Sequence, residues 1–365
     1  MSVTARVHVA DLSLRSEVRA ADRTHAHRRS IFLELDDEGV PGWGECATSE
    51  GPGVDPTVDE VLAALDERVL DLAVSQLASR PVGSAPRAPT VALVAARPAM
   101  LAAAGLVDAA LWDLRLRAEG RSLAEDLGVS ARDVAFAGVV GVMAPGASAA
   151  RAEALVAEGA TRLRVKVSPD AGTRALEAVL AAVGVPVVAD ANASFAPGGD
   201  DAALAELCAL PIAWLEQPFA ANNLVAHAAL AERVGVPIGL DESVRSLRWV
   251  RDAARYHAAT VLCCKPSRLG GIARTVEALR TAGELGLRCY VGGYFEAGLA
   301  RAVLGTISAV AGTEPGDVVA PAGYLDADPC GLAGPRGGRQ PLHLAPGCGP
   351  PPERSALRQV LVRTA

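Results

Sequence analysis

The sequence predicts an α/β fold: a (β/α) barrel joined to a separate α+β capping domain. Three observations predict it. From residue 133 to residue 312 short β-rich runs alternate with Ala/Leu/Glu/Arg segments of helical spacing. Parallel strands linked by helices produce that alternation, and at least six consecutive units favour closure into a barrel. One ionisable residue recurs near the end of each run: Lys166, Asp190, Glu216, Asp241, Lys265 and Glu296, at intervals of 24, 26, 25, 24 and 31 residues. Residues 1–130, by contrast, mix hairpin and helix signals without such a repeat. A doubly wound open sheet is the alternative, but it would ordinarily carry a Gly-rich turn after its first strand, and no G-x-G-x-x-G is present.

In chain order, SIFLELDDEGVPGWGEC (30–46) reads as a β-hairpin turning at Asp36–Gly39. Residues 58–74 and 100–120 carry apolar residues at helical spacing. RTHAHRRS (23–30) reads as a mobile loop, and the Pro/Ser/Arg stretch 80–90 as a surface connection. The barrel strands are expected at 162–167, 185–190, 212–217, 236–242, 260–265 and 288–293. From Pro315 a Gly/Pro-rich tail is expected to leave the barrel and return to the cap. The expected division is a cap at 1–130, a barrel at 131–315 and a returning segment at 316–365. Loops 12–28 and 46–56, polar or Gly-containing, are expected to close over the barrel mouth as a lid.

Half of the residues are hydrophobic but only 4% aromatic, so Ala, Val and Leu must build a sizeable core. The net charge of −7 and the absence of a basic block argue against a nucleic-acid partner. No apolar run is long enough for a membrane span, and early charges at Arg6, Asp11 and Arg15 do not make a signal peptide, so a cytoplasmic protein is expected. Seven scattered cysteines without a C-x-x-C pair, and six unclustered histidines, point to reduced thiols and argue against zinc. The expected partner is a small-molecule carboxylate; a homo-oligomer stays open.

In a barrel the six ionisable residues project at the C-terminal mouth. A lone acid after a strand is ordinarily a helix cap, but six in phase, bracketed by lysines, point to one shared site. Asp190, Glu216 and Asp241 facing one cavity repel unless a cation neutralises them. Three carboxylates with room for water and substrate suit one hard divalent ion, Mg²⁺ or Mn²⁺. Lysines on either side complete an arrangement for abstracting a proton next to a carboxylate. The ion binds the substrate carboxylate and stabilises the enediolate while a lysine takes the α-proton. RLRVK (162–166) puts Arg162, Arg164 and Lys166 on one face of a strand. Lys166 is the expected base, and Arg164 beside it is expected to lower its pKa. Arg162 takes the plainer reading of a charge on an edge strand.

GWGEC, DAALWDLRLRAEGRSLAEDLG, RLRVKV, DANASF, WLEQPF, PIGLDES, KPSRLGG and GGYFEAGLARA follow one another over residues 30–310. In these the chain resembles the enolase superfamily, muconate-lactonizing subgroup, and within it the o-succinylbenzoate synthase / N-succinylamino acid racemase family. The resemblance implies an enolase-type barrel (a modified TIM barrel), with Asp190, Glu216 and Asp241 as ligands of one Mg²⁺ or Mn²⁺. It makes Lys166 and Lys265 the acid/base pair. It sets Asn192 and Glu242 beside the ligands, where a turn residue and a helix cap are the plainer readings, and has Glu296 reach Lys265 or the metal's waters. Three departures fall at expected substrate-pocket positions. Tyr294 and Phe295 in GGYFEAG differ from the usual sequence there, and Val140 stands where a small polar residue is common. Arg164 replaces the first lysine of the family's Lys-x-Lys and keeps its charge.

Two chemistries share such a site. In the synthase, Lys166 removes the α-proton of a cyclohexadiene carboxylate, hydroxide leaves, and Lys265 serves as a cation near the ring. In the racemase, Lys265 must exchange protons as well, and Arg268, three residues on, is expected to depress its pKa; otherwise Arg268 is a surface-loop arginine. Synthase chemistry, in menaquinone biosynthesis, ranks first, N-succinylamino acid (N-acylamino acid) racemisation second and dipeptide epimerisation third. A Schiff-base barrel aldolase would use the lysines but leave three carboxylates unexplained. A non-catalytic scaffold would be expected to lack a lysine or a ligand, and none is missing.

Overall fold

The computed structural model describes residues 3–19, 24–48, 55–79, 97–310 and 312–364. The cap is built on an antiparallel sheet of β1 (Val3–Arg19), β2 (Thr24–Asp37) and β3 (Val40–Ala47). Val3, Ala5 and Val7 of β1 and Ile31, Leu33 and Leu35 of β2 alternate onto one fully buried face, the period of two that a half-covered sheet requires. Against that face lie α1 (Val58–Ala64), a π-helical turn (Leu65–Val69), α2 (Leu70–Ala78) and the long α3 (Pro98–Glu119). Thr57 and Glu60 form a reciprocal capping box at the start of α1. A proline opens α3 and Gly120, at φ +68°, closes it. Gly42 and Gly44 are needed where α3 crosses β3. A Cβ on Gly44 would lie 2.4 Å from the Leu106 carbonyl oxygen, and one on Gly42 2.3 Å from Leu114 Cβ.

The hairpin at 30–46 is present, but β2 begins at Thr24, so the described part of RTHAHRRS, residues 24–30, is strand and not loop. It pairs with β1 through Ser13↔His27 and, beyond a register shift, Arg19↔Thr24. Its polar residues do not mark solvent exposure: Arg28 is buried and donates to the carbonyls of Tyr294 and Thr48. The lid expected at 12–28 is therefore, in its described parts, a pair of β-ribbon arms. Of the second expected lid loop, Cys46 and Ala47 end β3, while 49–54 lie outside the described residues, as does the 80–90 connection.

A short chain turn, α4 (Leu123–Asp126), and β4 (Asp133–Val134) lead into the barrel. Its units are β5 (Ala137–Val140) with α5 (Pro145–Ala157), β6 (Arg162–Lys166) with α6 (Arg174–Ala182), β7 (Val187–Asp190) with α7 (Asp201–Cys208), and β8 (Leu215–Glu216) with α8 (Leu224–Arg233). They continue with β9 (Ile238–Leu240) and α9 (Leu247–Arg255), β10 (Val261–Cys264) with α10 (Pro266–Leu269) and α11 (Ile272–Glu284), and β11 (Arg288–Val291) with α12 (Gly298–Val310). The seven strands are parallel and neighbours in sequence order from β5 to β11. Residues 314–317 close the gap between the two edges. The backbone N–H groups of Glu314 and Asp317 donate to Cys289 and Val291 of β11, and Ala137 of β5 donates to the Gly316 carbonyl. The tail thus leaves the barrel only after supplying this eighth position. It then runs through β12 (Gln340–Pro341), which pairs with β4, to β13 (Arg358–Thr364), which pairs antiparallel with β1 in the cap.

Three buried acids fasten cap to barrel and tail. Glu45 accepts from Ala297 and Ala300 at the start of α12, Asp108 of α3 accepts from Ile272 at the start of α11, and Asp113 accepts from Trp43 and Cys348. Each carboxylate meets backbone N–H groups that would otherwise be orphaned, two of the three at helix starts. Among the described residues no helix is long and apolar enough to cross a membrane, and all seven cysteines are free.

Candidate active site

Strand pairing sets the row of ionisable residues. Lys166 lies beside Asp190 and Asp190 beside Glu216 in register across β6, β7 and β8. Glu216 is level with Gly239, so Asp241, two residues on, points to the same interior face just past β9. Lys265 follows β10 directly. The sequence row is thus one arc of side chains at the strand ends: Lys166, Asp190, Glu216, Asp241, Lys265. The three acids are 0–2% exposed and lie between the two lysines.

Every carboxylate oxygen in the row has a protein donor. Asp190 Oδ1 accepts from Asn192 N and its Oδ2 from Lys166 Nζ at 2.6 Å. Glu216 Oε1 accepts from Tyr290 Oη at 2.6 Å and Arg164 Nη1 at 3.0 Å, and Oε2 from Trp214 Nε1 at 3.1 Å. Asp241 Oδ2 accepts from Lys265 Nζ at 2.8 Å and Oδ1 from Arg268 Nη1 at 2.6 Å. Among the described residues, accordingly, no three acidic, His or Cys side chains already converge as a cage around an ion.

The electrostatics are uneven along the arc. Burial would raise the Asp241 carboxyl, but Arg268 and Lys265 hold it far below the usual carboxylate range. Glu216 goes the other way: burial, and then the charge on Asp190, raise it despite Arg164. Glu242 is pushed up to about 7 by burial and by Asp241. Its Oε1 accepts from Asn192 Nδ2 at 3.1 Å, whereas Glu242 Oε2, Asn192 Oδ1 and Ser194 Oγ are buried without a partner. Four carboxylates crowded together, with the unpartnered oxygens of Glu242, Asn192 and Ser194 beside them, are what a hard divalent cation and its waters would answer. The residues present fit such an ion.

Arg164 departs from its expected role. Its guanidinium is spent on Glu216, on Asp190 at 3.5 Å and on Asp317 at 2.5 Å, so it braces the acids to the barrel's closing segment. Arg162 is neither exposed nor on an edge strand, since β6 lies between β5 and β7. It is 1% exposed, donates to the Pro315 carbonyl, and lies 4.7 and 4.5 Å from the Trp214 and Tyr290 ring centroids inside the barrel. Arg268 is no surface arginine either. It is buried and bidentate to Asp55 of the cap while reaching Asp241. Nor is Lys265 depressed. Burial and Arg268 lower it, but Asp241 overrides them and its pKa is raised.

Glu296 is five residues past β11 and turns from the row. Tyr294 N donates to its Oε1 at 2.6 Å, and Arg301 Nε lies 2.9 Å from Oε2, so Arg301 takes the place expected for Lys265. Val140 is in register with Val165, whose neighbour Arg164 points inward. Val140 therefore faces the helices and is fully buried in the outer core, turned away from the barrel interior. Tyr294 does lie at the centre, its ring centroid 4.3 Å from Lys265 Nζ. Phe295, at φ +61°, packs edge-on against Tyr324 among residues of the β1–β2 arm.

Sequence reasoning missed Asp317, Tyr290 and Gln217. Gln217, at φ +39°, is fully buried and its Oε1 accepts from the N–H groups of Asp241 and Ser243, setting the loop that carries Asp241. His227 supports it in turn, accepting from Phe219 N. The signal available for Gln217 was its place directly after Glu216; Asp317 gave none, since it follows no recognisable strand.

Comparison with known proteins places the chain in a family. Residues 147–352 match the family described as enolase C-terminal domain-like, and residues 2–128 the mandelate racemase / muconate lactonizing enzyme N-terminal domain. The chain is similar to an N-succinylamino acid racemase of an Amycolatopsis species, 30% identical over 350 residues, covering 94% of this chain and 92% of that one. It is likewise similar to the o-succinylbenzoate synthase of Bacillus subtilis, 28% identical over 321 residues, covering 87% and 85%. Among solved structures, a probable mandelate racemase from Alicyclobacillus acidocaldarius superposes with a TM-score of 0.88 at 28% identity, covering 100% of this chain and 97% of that one. The chain belongs to the enolase superfamily, in its mandelate racemase / muconate lactonizing group, with relatives named both as o-succinylbenzoate synthases and as N-succinylamino acid racemases.

Proposed function

We propose that this protein removes the proton α to a substrate carboxylate, using Lys166 as the base and one divalent ion, Mg²⁺ or Mn²⁺, held by Asp190, Glu216 and Asp241. The observation that carries the reading is the arc itself: two lysines at opposite ends of three buried carboxylates. The ion would supply a positive site for the substrate carboxylate and for the negative charge that grows on it as the α-carbon loses its proton. The chain's own groups do the rest. Lys166 takes the proton at its Nζ. Arg164, Tyr290 and Trp214 keep Glu216 aimed into the barrel, and Arg268 and Gln217 do the same for Asp241. Asn192 and Glu242 stand beside the ligands, joined to each other. A cap at 1–130 would cover the mouth of a barrel spanning 131–315, with a segment at 316–365 returning to the cap.

The preferred activity is dehydration to o-succinylbenzoate, in which Lys265 remains an ammonium throughout. Its pairing with Asp241 and its seat on the Tyr294 ring favour that cationic role. N-succinylamino acid racemisation is the second reading, supported by the matching lysine–carboxylate pairs at both ends of the arc. The test is α-proton exchange in D₂O with each enantiomer of an N-succinylamino acid, beside turnover of the cyclohexadiene substrate. Lys166→Arg should abolish both, because arginine cannot deprotonate in a protein. Lys265→Arg should retain more dehydration than two-sided exchange. Wild-type rates in Lys166→Arg would remove Lys166 as the base, and a borohydride-trapped substrate adduct would point instead to Schiff-base chemistry.

A further inference from the structure

Among the described residues the three acids of the row meet four cationic side chains: Lys166 on Asp190, Arg164 on Asp190 and Glu216, and Lys265 and Arg268 on Asp241. Three negative charges held by four positive ones would repel a divalent ion, and burial strengthens the effect. A fourth acid, Glu242, adjoins Asp241 and at most evens the balance. Two further carboxylates correct it from behind the arginines: Asp55 of the cap on Arg268, and Asp317 of the closing segment on Arg164.

Asp317 is firmly placed for that part. Arg164 Nη2 donates to its Oδ2 at 2.5 Å, while Nη1 of the same guanidinium donates to Glu216 Oε1 at 3.0 Å. The rigid fork therefore has one prong on the row and one off it. The Asp317 backbone is fixed on both sides, since its N–H donates to the Val291 carbonyl and Arg301 donates to its own carbonyl. Burial would raise the Asp317 carboxyl, but Arg164, then Arg162 and Arg301, hold it below the usual carboxylate range. The aim of Glu216 does not hang on Arg164 alone, because Tyr290 Oη donates to the same Oε1 and Trp214 Nε1 to Oε2. What Asp317 governs is where the arginine's charge falls.

We propose that Asp317, acting through Arg164, is a positioning residue that sets the affinity of the row for a divalent ion. It holds half of the guanidinium off the acids and cancels its charge. The proposal rests on the proton-abstraction reading, which puts one such ion on Asp190, Glu216 and Asp241. Without Asp317 the whole guanidinium is left to Asp190 and Glu216, where it competes for their oxygens.

The test is calorimetric titration of the full chain with Mg²⁺ alone, for wild type, Asp317→Asn and the double variant Arg164→Gln/Asp317→Asn. Sucrose in every sample favours the folded chain, and circular dichroism checks it. Asp317→Asn should bind Mg²⁺ about 10- to 100-fold more weakly than wild type. The double variant loses both charges of the pair and leaves neither one buried alone. It should bind within about threefold of wild type, a rescue that a purely structural role for Asp317 would not give. Unchanged affinity in folded Asp317→Asn overturns the proposal and leaves the ion site standing. A double variant weakened more than about tenfold makes the pair structural, and one tightened more than about tenfold shows that Asp317 did not cancel the charge on Arg164; either overturns the proposal, and both can be read even if Asp317→Asn fails to fold. A wild type that binds neither Mg²⁺ nor Mn²⁺ removes the ion from the proton-abstraction reading and the role of Asp317 with it.

Discussion

His227 should make the Asp241 loop acid-sensitive, and the size of the effect can be worked from its surroundings. Its Nδ1 lies 2.8 Å from the Asn223 carbonyl and must donate to it, so Nε2 is the bare acceptor that meets Phe219 N at 3.3 Å. Protonation would set a second N–H against that donor and against Gln217 Nε2, also 3.3 Å away. Burial accordingly lowers the imidazole from 6.5 to about 4, only partly opposed by the Asn223 bond. A depressed folded-state pKa means that the unfolded chain binds the proton first. The stabilisation is therefore complete above the unfolded value near 6.5 and is lost as the pH falls toward 4. Between pH 7 and 4.5 that loss amounts to about 2 kcal/mol at about 1.4 kcal/mol per pH unit. Buried carboxylates titrate in the same window, some with the opposite sign, so the measurement must be a difference. Urea unfolding of wild type and His227→Gln at the two pH values isolates the imidazole. The wild type should lose about 2 kcal/mol more than the variant, and an imidazole resonance titrating near pH 4 should vanish from the variant's NMR spectrum. Parallel losses in both proteins would refute a neutral, accepting His227.

Three further outcomes are expected. Glu216→Gln should abolish calorimetric Mg²⁺ binding and turnover together; binding at wild-type affinity would remove Glu216 from the ligand set. Asp55→Asn leaves Arg268 buried with part of its charge unanswered and should cost about 3 kcal/mol in unfolding experiments; a loss under about 1 kcal/mol would mean that the cap–barrel clasp is not structural. Gly44→Ala forces a methyl group to within 2.4 Å of the Leu106 carbonyl oxygen. It should destabilise by about 1–3 kcal/mol, with exposure of α3 amides to hydrogen exchange as the check.

How far the site could be read from the chain follows from what each position depends on. Lys166, Asp190, Glu216, Asp241 and Lys265 were legible because each ends its own βα unit, and the unit length repeats. Glu296 broke the phase at 31 residues, and the structure puts it past the strand, paired with Arg301. Val140 was one residue out of phase on its strand. With a side-chain period of two, that slip turns a pocket wall into outer core. RTHAHRRS misled because its polarity reflects partners in the barrel, such as the Tyr294 carbonyl on Arg28, and not water.

By itself the sequence determined the repeating units, the order of ionisable groups along them and the capping hairpin, because strand and helix periods and unit lengths are local properties of a chain. Only the tertiary structure decided what each charge is spent on. Arg164 braces Asp317, 153 residues away, and Arg268 clasps Asp55, 213 residues away. Residues 314–317 close a barrel whose last hydrogen bonds run to β5 and β11 at once. Such pairings leave no periodic trace, because they depend on which segments the fold brings within about 3 Å of one another.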